Sequence, residues 1–267
     1  MSENPRPVSL DIEDWSVTYA GGKKQVRAVK NCSLSVARGK IAGLVGESGS
    51  GKSTLLMSVP KLLPAGTVTG GRIRCAGQEI SSLGEDAINL WRWRRIALVP
   101  QGAMNSFTPH LTIERHISEV LNRHLGSSKK ECAEKAAELA AMTGLEKGAL
   151  HRYPHELSGG QKQRAALSVA LACEPDFLLA DEPTTALDVI TQKDVLETIV
   201  SLVRERGMGL LLVTHDLPLA AAVSDSLVVM KDGEFVEHGP PREVSRSPRH
   251  PYTKKLVAAI IDMESGT

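Results

Sequence analysis

Residues Gly46-Glu47-Ser48-Gly49-Ser50-Gly51-Lys52-Ser53 fit the spacing G-x-x-x-x-G-K-[ST]. An apolar run, Ile41 to Val45, leads into them, and a helical pattern, Lys52 to Ser58, begins at their end. A glycine-rich turn in that setting is a phosphate-binding loop. Its glycines let backbone N–H groups wrap phosphate oxygens, and the helix that follows adds its positive end. Lys52 is expected to reach the β and γ phosphates of a nucleotide, and Ser53, followed by Thr54, to offer a hydroxyl to magnesium. A second apolar run, Phe177 to Ala180, ends in Asp181 and Glu182. Alone, two acids at a strand end serve as a helix cap more often than as a reacting pair. Downstream of a phosphate-binding loop they read differently: Asp181 holds the hydration shell of magnesium, and Glu182 orients and deprotonates an attacking water.

Leu157-Ser158-Gly159-Gly160-Gln161, followed by Lys162-Gln163-Arg164 and a helical pattern, is a second phosphate cradle: a hydroxyl, two glycines exposing N–H groups and a helix N-terminus. This stretch resembles the signature of ATP-binding cassette (ABC) ATPases. The resemblance implies that two cassettes pack head to tail, each ATP lying between one phosphate-binding loop and the partner's signature. It also gives weaker residues a meaning. Gln101, after the apolar run Ile96 to Val99 and Pro100, matches the Q-loop, which contacts magnesium and relays the state of the site. His215, after Leu210 to Thr214, matches the switch histidine at the γ-phosphate. Ala186-Leu187-Asp188 matches the D-loop, and Tyr19 matches the aromatic that stacks on adenine, with a core-edge tyrosine as the plainer alternative.

Two further stretches, Gln101 to Pro109 and His250-Pro251-Tyr252-Thr253, resemble the peptide and nickel importer subfamily. The implied function is an ATP-hydrolysing subunit that energises uptake of a small solute, peptide or nickel and other metal chelate. Its cofactors are ATP and Mg2+. Its partners are a second ATPase subunit, identical or sibling, two transmembrane permease subunits and, indirectly, a solute-binding protein. The location is peripheral, on the cytoplasmic face of the inner membrane. The competing class is a soluble cassette ATPase acting on nucleic acid or ribosomes. Against it, Lys52 and Ser158 lie too close for a long coiled-coil insertion, and one cassette is present where translation-type members carry two. Since the chain stops at Thr267, soon after Leu256 and with no cysteine beyond Cys173, neither an iron–sulfur tail nor a regulatory domain is expected.

The elements that must position these residues alternate in texture. Leu10, Ile12, Trp15, Val17 and Tyr19 form a near period-2 run closed by Gly21-Gly22, and shorter strand-like pieces follow at Val26 to Val29 and Leu34 to Val36, a small antiparallel sheet. From Ile41 the strands become short and continuously apolar, as in a buried parallel sheet, at Ile41 to Val45, Ile96 to Val99, Phe177 to Ala180, Leu210 to Val213 and Leu227 to Met230. Helical patterns cover Ile113 to Leu125, Lys129 to Met142, Gln161 to Cys173, Val189 to Arg206 and Leu217 to Val223. Ser128 with Glu131 forms a capping box, and Asp232-Gly233 marks a hairpin. The expected fold is α/β: a P-loop NTPase (RecA-like) core with an N-terminal antiparallel β-subdomain. A single cassette spans 1–267, with a helical subdomain inserted at about 103–160 and a short C-terminal extension at 240–267.

Composition narrows the partners. The 267 residues carry 32 Lys and Arg against 31 Asp and Glu, a net charge of +1, so no overall field draws the chain to nucleic acid or anionic lipid. Trp91, Arg92, Trp93, Arg94 and Arg95 accordingly read as a solvated helix end rather than a stacking surface for nucleic acid. No apolar stretch approaches the roughly 18 residues that read as a membrane span, so no direct insertion is expected. The polar start, Met1 to Pro7, has no apolar run of a secretory signal. Cys32, Cys75, Cys132 and Cys173 are too scattered for a zinc site and read as isolated thiols. Pro154 prevents His151 and His155 from sharing a helix face.

Overall fold

Residues 8–21 and 24–264 are described by the computed structural model of the chain. Gly22 of the predicted turn, the first seven residues and Thr267 lie outside the described residues. In chain order the elements are β1 (Ser9–Gly21), β2 (Lys24–Ala37), β3 (Ile41–Val45), α1 (Lys52–Ser58), β4 (Thr67–Cys75), β5 (Gln78–Glu79), α2 (Glu85–Asn89), β6 (Ile96–Val99), α3 (Ile113–Leu125), α4 (Lys129–Thr143), α5 (Gly159–Ala170), β7 (Phe177–Asp181), α6 (Val189–Arg206), β8 (Gly209–Thr214), α7 (Leu217–Val223), β9 (Ser226–Lys231), β10 (Glu234–Gly239), α8 (Pro241–Arg246) and α9 (Pro251–Glu264). They group into two units, Met1–Leu83 with Gly209–Thr267, and Gly84–Met208.

The first unit holds an antiparallel sheet in the order β2-β1-β4-β5. Leu10, Ile12, Trp15 and Val17 of β1 are buried, and the three-residue step from Ile12 to Trp15 is a bulge. Asp14 there has φ 46, and its carbonyl would lie 2.4 Å from a Cβ on Gly71, so β4 needs glycine opposite the bulge. A second bulge at Asn31, φ 49, carries β2 through a stretch whose polar residues break the alternation. What reads in the sequence as two short pieces is therefore one strand. β4 was not anticipated, because Gly70-Gly71 interrupts its pattern.

The same unit contains β3 with β8 on one side and β9 on the other, all parallel, and β10 pairing antiparallel with β9. Each residue of β3 and β8 is buried, which is why Ile41 to Val45 and Leu210 to Val213 run continuously apolar. Burying one such side chain, Leu212 for example, stabilises by roughly 1.5–3 kcal/mol over leaving it exposed. The β9–β10 turn is the predicted Asp232-Gly233, both residues left-handed with φ 50 and 86. Val45, Leu217, Val229, Val244 and Tyr252 share a buried cluster that seats α7, α8 and α9.

In the second unit β6 and β7 pair in parallel, Val99 beside Ala180. No strand falls between Ala103 and Glu156 among the described residues; α3, α4 and short 3-10 turns fill that stretch. The Ser128–Glu131 capping box starts α4. A buried bond, 2.7 Å between the Thr143 and Ser168 hydroxyls, ties α4 to α5. The basic and aromatic cluster is engaged within the fold: Arg92 bonds Glu85 and Asn89, Arg94 the His124 carbonyl, and Arg95 lies 2.8 Å from Asp176 and over the Trp91 ring. His151 faces Glu114 at 3.0 Å, while His155 stacks on Tyr153. Among the described residues no helix is long and apolar enough to cross a membrane.

Candidate functional site

The first unit carries Tyr19, Gly46 to Thr54 and His215. The loop leaves the end of β3, where Val45 pairs with Thr214 of β8, so His215 emerges at the same carboxyl edge as Gly46. Ligands in α/β sheets bind at such edges. Two loop glycines are required by close approach: a Cβ on Gly46 would lie 2.2 Å from the Met230 carbonyl oxygen, and one on Gly51, φ 106, would lie 2.3 Å from that of Ala28. The loop is braced by neighbouring backbone as well, for Gly233 N–H donates to the Ser50 carbonyl at 2.9 Å. Lys52 is only 5% exposed, and its ammonium donates to the Gly46 and Glu47 carbonyls, both at 2.7 Å. Glu47, Ser48, Gly49 and Ser53 are exposed, while Ser50 is buried. The Tyr19 hydroxyl lies 3.0 Å from the Thr54 hydroxyl, which fixes the half-buried ring beside the first turn of α1. His215 is exposed, and the next residue, Asp216, caps α7 by accepting the Leu219 N–H at 2.8 Å.

The second unit carries Gln101, Ser158 to Gln161, Asp181, Glu182 and Asp188. Because β6 and β7 run side by side, Gln101 and Glu182 emerge together, and Gln101 Nε2 donates to Glu182 Oε2 at 3.1 Å. The Thr185 hydroxyl donates to the same oxygen at 2.9 Å. Asp181 is 5% exposed at the end of β7. Glu182 itself has φ 46, a conformation that costs a non-glycine residue about 1–3 kcal/mol and is tolerated where the surroundings fix it. Ser158 is the N-cap of α5 and forms a full capping box with Gln161: Ser158 Oγ accepts the Gln161 N–H at 3.3 Å, and Gln161 Oε1 accepts the Ser158 N–H at 3.0 Å. The helix therefore begins at Gly159, earlier than the apolar pattern predicts, because both glycines form its first turn. A Cβ on Gly160 would lie 2.7 Å from Thr191 Cγ2, so the signature glycine also lets α6 approach α5. Asp188 caps α6 through the Thr191 N–H and hydroxyl, at 3.0 and 2.7 Å, and these bonds hold its carboxyl below the usual range.

Against known proteins, residues 29–185 match the ABC transporter family. The chain belongs to the ABC transporter family. A putative peptide import ATP-binding protein of Brucella abortus is 41% identical, over 94% of this chain and 77% of that protein. A probable D,D-dipeptide transport ATP-binding protein of Escherichia coli is 38% identical, over 93% and 77%. Among solved structures, a dimeric ATP-binding cassette in a post-hydrolysis state with ADP and phosphate superposes with TM-score 0.78 at 30% identity, over 87% of this chain and 99% of that one. As a member of the ABC transporter family, the protein is an α/β P-loop cassette ATPase, a nucleotide-binding enzyme whose ATP hydrolysis is coupled to transport.

Sequence reasoning within that family missed three groups. Thr185 had no motif to point to it, although it stands one turn beyond Glu182. The Tyr19–Thr54 bond joins a strand to a helix far along the chain, which spacing does not reveal. Tyr252, taken only as a subfamily marker, accepts the Glu47 N–H in its hydroxyl at 3.1 Å.

Proposed function

We propose that the chain is the ATP-hydrolysing subunit of an importer for a peptide-class solute, acting through separate permease subunits. The observation that carries this reading is the braced cradle Gly46 to Ser53 in a chain whose relatives are named for peptide and dipeptide import, at 41% and 35% identity over nearly its full length. In this reading Tyr19 stacks on adenine, and the loop N–H groups with Lys52 grip the phosphates. Ser53, Asp181 and Gln101 offer hydroxyl, carboxylate and amide oxygens, a hard donor set that suits Mg2+. Bound there with ATP, the ion supplies charge neutralisation at the β and γ phosphates. Glu182 accepts the proton of the attacking water and His215 contacts the γ-phosphate. The bond from Gln101 holds the Glu182 carboxylate at its post. Ser158, Gly159, Gly160 and Gln161, with Asp188, serve the nucleotide of a second cassette, identical or sibling.

The work is done at the cytoplasmic face of the inner membrane, where two permease subunits hold the cassettes and a solute-binding protein delivers cargo. The permease is proposed to dock on the helical segment, where a cavity of about 510 Å³ lies beside α3 and α4, lined in part by Arg115, Glu119, Asn122 and Lys129. The nucleic-acid reading has less to recommend it, since Arg92, Arg94 and Arg95 are engaged within the fold. Co-expression with a permease pair tests the proposal. A stable complex that takes up a labelled dipeptide into proteoliposomes, only with hydrolysable ATP, is the expected result. Recovery of ribosomes or DNA in place of permease would overturn it.

A further inference from the structure

The C-terminal segment reaches the nucleotide loop through one hydroxyl. Glu47 N–H donates to Tyr252 Oη at 3.1 Å. That N–H belongs to the Gly46–Glu47 peptide unit, whose carbonyl oxygen accepts from Lys52 Nζ at 2.7 Å. A trans peptide is planar, so the direction of its N–H fixes the direction of its C=O on the opposite side. Tyr252 and Lys52 thus hold the two ends of one rigid plate.

The hydroxyl is well placed to set that plate because Tyr252 is itself fixed from several directions. Its side chain is buried, 7% exposed, in the cluster with Val45 and Val229. The Lys231 ammonium lies 4.9 Å from its ring centroid. The approach to α9 is pinned by Glu237, whose carboxylate accepts the N–H groups of Arg249 at 2.7 Å and His250 at 3.1 Å. Tyr252 N–H in turn donates to His250 Nδ1 at 3.2 Å.

We propose that Tyr252 is a positioning residue of the nucleotide site: its hydroxyl orients the Gly46–Glu47 peptide and, through that carbonyl, the Lys52 ammonium. The proposal rests on the reading of Gly46 to Ser53 as the phosphate cradle. Removing the hydroxyl while keeping the ring leaves packing intact and releases the plate, so the loss falls on phosphate binding and not on folding.

The test is equilibrium ATP binding and thermal melting of the full chain as wild type, Tyr252→Phe, Lys52→Ala and the double variant. The expected result is a loss of ATP affinity of about 3- to 10-fold in Tyr252→Phe, the size of one hydrogen bond. Its melting temperature stays within about 3 °C of wild type. In the Lys52→Ala background the tyrosine substitution has no further effect, which a merely structural role would not produce. Wild-type affinity in Tyr252→Phe, or an equal loss with and without Lys52, overturns the tether and leaves the cradle standing. Failure of the wild-type chain to bind ATP overturns the cradle reading and the tether with it. Should Tyr252→Phe not fold, hydrogen exchange at the wild-type Glu47 amide decides: exchange roughly tenfold slower than at Ser48 and Gly49 supports the bond, and equal exchange overturns it.

Discussion

The phosphate cradle of the first unit and the carboxylate group of the second are held in place by different means. Gly46 and Gly51 lie against backbone carbonyls, Lys52 is buried, and a backbone bond from the β9–β10 turn secures Ser50. Gly46 and Gly51 cannot shift toward those carbonyls without displacing the strands that carry them. Around Glu182, by contrast, polar side chains do the holding: Gln101 and Thr185 on its carboxylate, and an Asp188 cap two residues beyond Ala186, which is left-handed at φ 68. The following helix opens with Val189 and Ile190, 81% and 76% exposed. Packing fixes the part proposed to bind, and exchangeable hydrogen bonds hold the part proposed to react. Hydrogen bonds between side chains re-pair at a cost near 1 kcal/mol each, whereas packed backbone does not.

That contrast is broken most severely by lesions that ought to separate binding from turnover. Glu182→Gln, on the hydrolytic side, is expected to lower phosphate release by about 10²- to 10⁴-fold while ATP binding persists. Unchanged turnover would remove Glu182 from its role. Gly51→Ala, on the packed side, introduces both a strained φ and a collision with the Ala28 carbonyl, each costing about 1–3 kcal/mol. Calorimetry should show a lower melting temperature together with lost ATP affinity; a variant that binds normally would show that the cradle is not rigid. Ser158→Ala removes the N-cap of α5 and should cost about 1 kcal/mol in chemical denaturation. ATP affinity of the isolated chain should be unaltered if, as proposed, the signature serves a second cassette.

The smallest expected effect concerns Glu237. Burial pushes its carboxyl up, but the Thr253 side chain, the Arg249 and His250 N–H groups and the charge of His250 together hold it below the ordinary range. A depressed carboxyl stabilises above its unfolded value, about 4.3, and that contribution is lost as pH falls through the folded value. Glu237→Gln should therefore destabilise the chain at pH 7, by less than about 1 kcal/mol after solvent screening, and make a smaller difference at pH 3. Melting curves at the two pH values check the sign.

Much of the site can be read in the residues because its chemistry demands particular types at short spacing. Gly46 to Ser53, Leu157 to Gln161 and Asp181-Glu182 are each contiguous, and each is announced by a buried strand or a capped helix. The strands β3, β7 and β8 are legible for the same reason, since a strand covered on both faces is apolar along most of its length. What escapes the reading is contact between residues far apart in the chain. No local pattern says that Tyr252 meets Glu47, that Thr54 meets Tyr19, or that Gln101 bonds Glu182. Irregular backbone is equally hidden: the bulge at Asn31 disguises β2 as two fragments, and Gly70-Gly71 conceals β4.

The bracing of the cradle has a consequence for how the protein is made. Gly46 to Ser53 leave the ribosome well before three of the groups that shape them, Met230, Gly233 and Tyr252, have been made. At roughly 5–20 residues per second, many seconds separate the two. During that interval the nascent loop has its sequence but not its walls. Competence to grip a nucleotide is acquired only after Tyr252 has been made, so products of synthesis interrupted before it carry the motif without its walls.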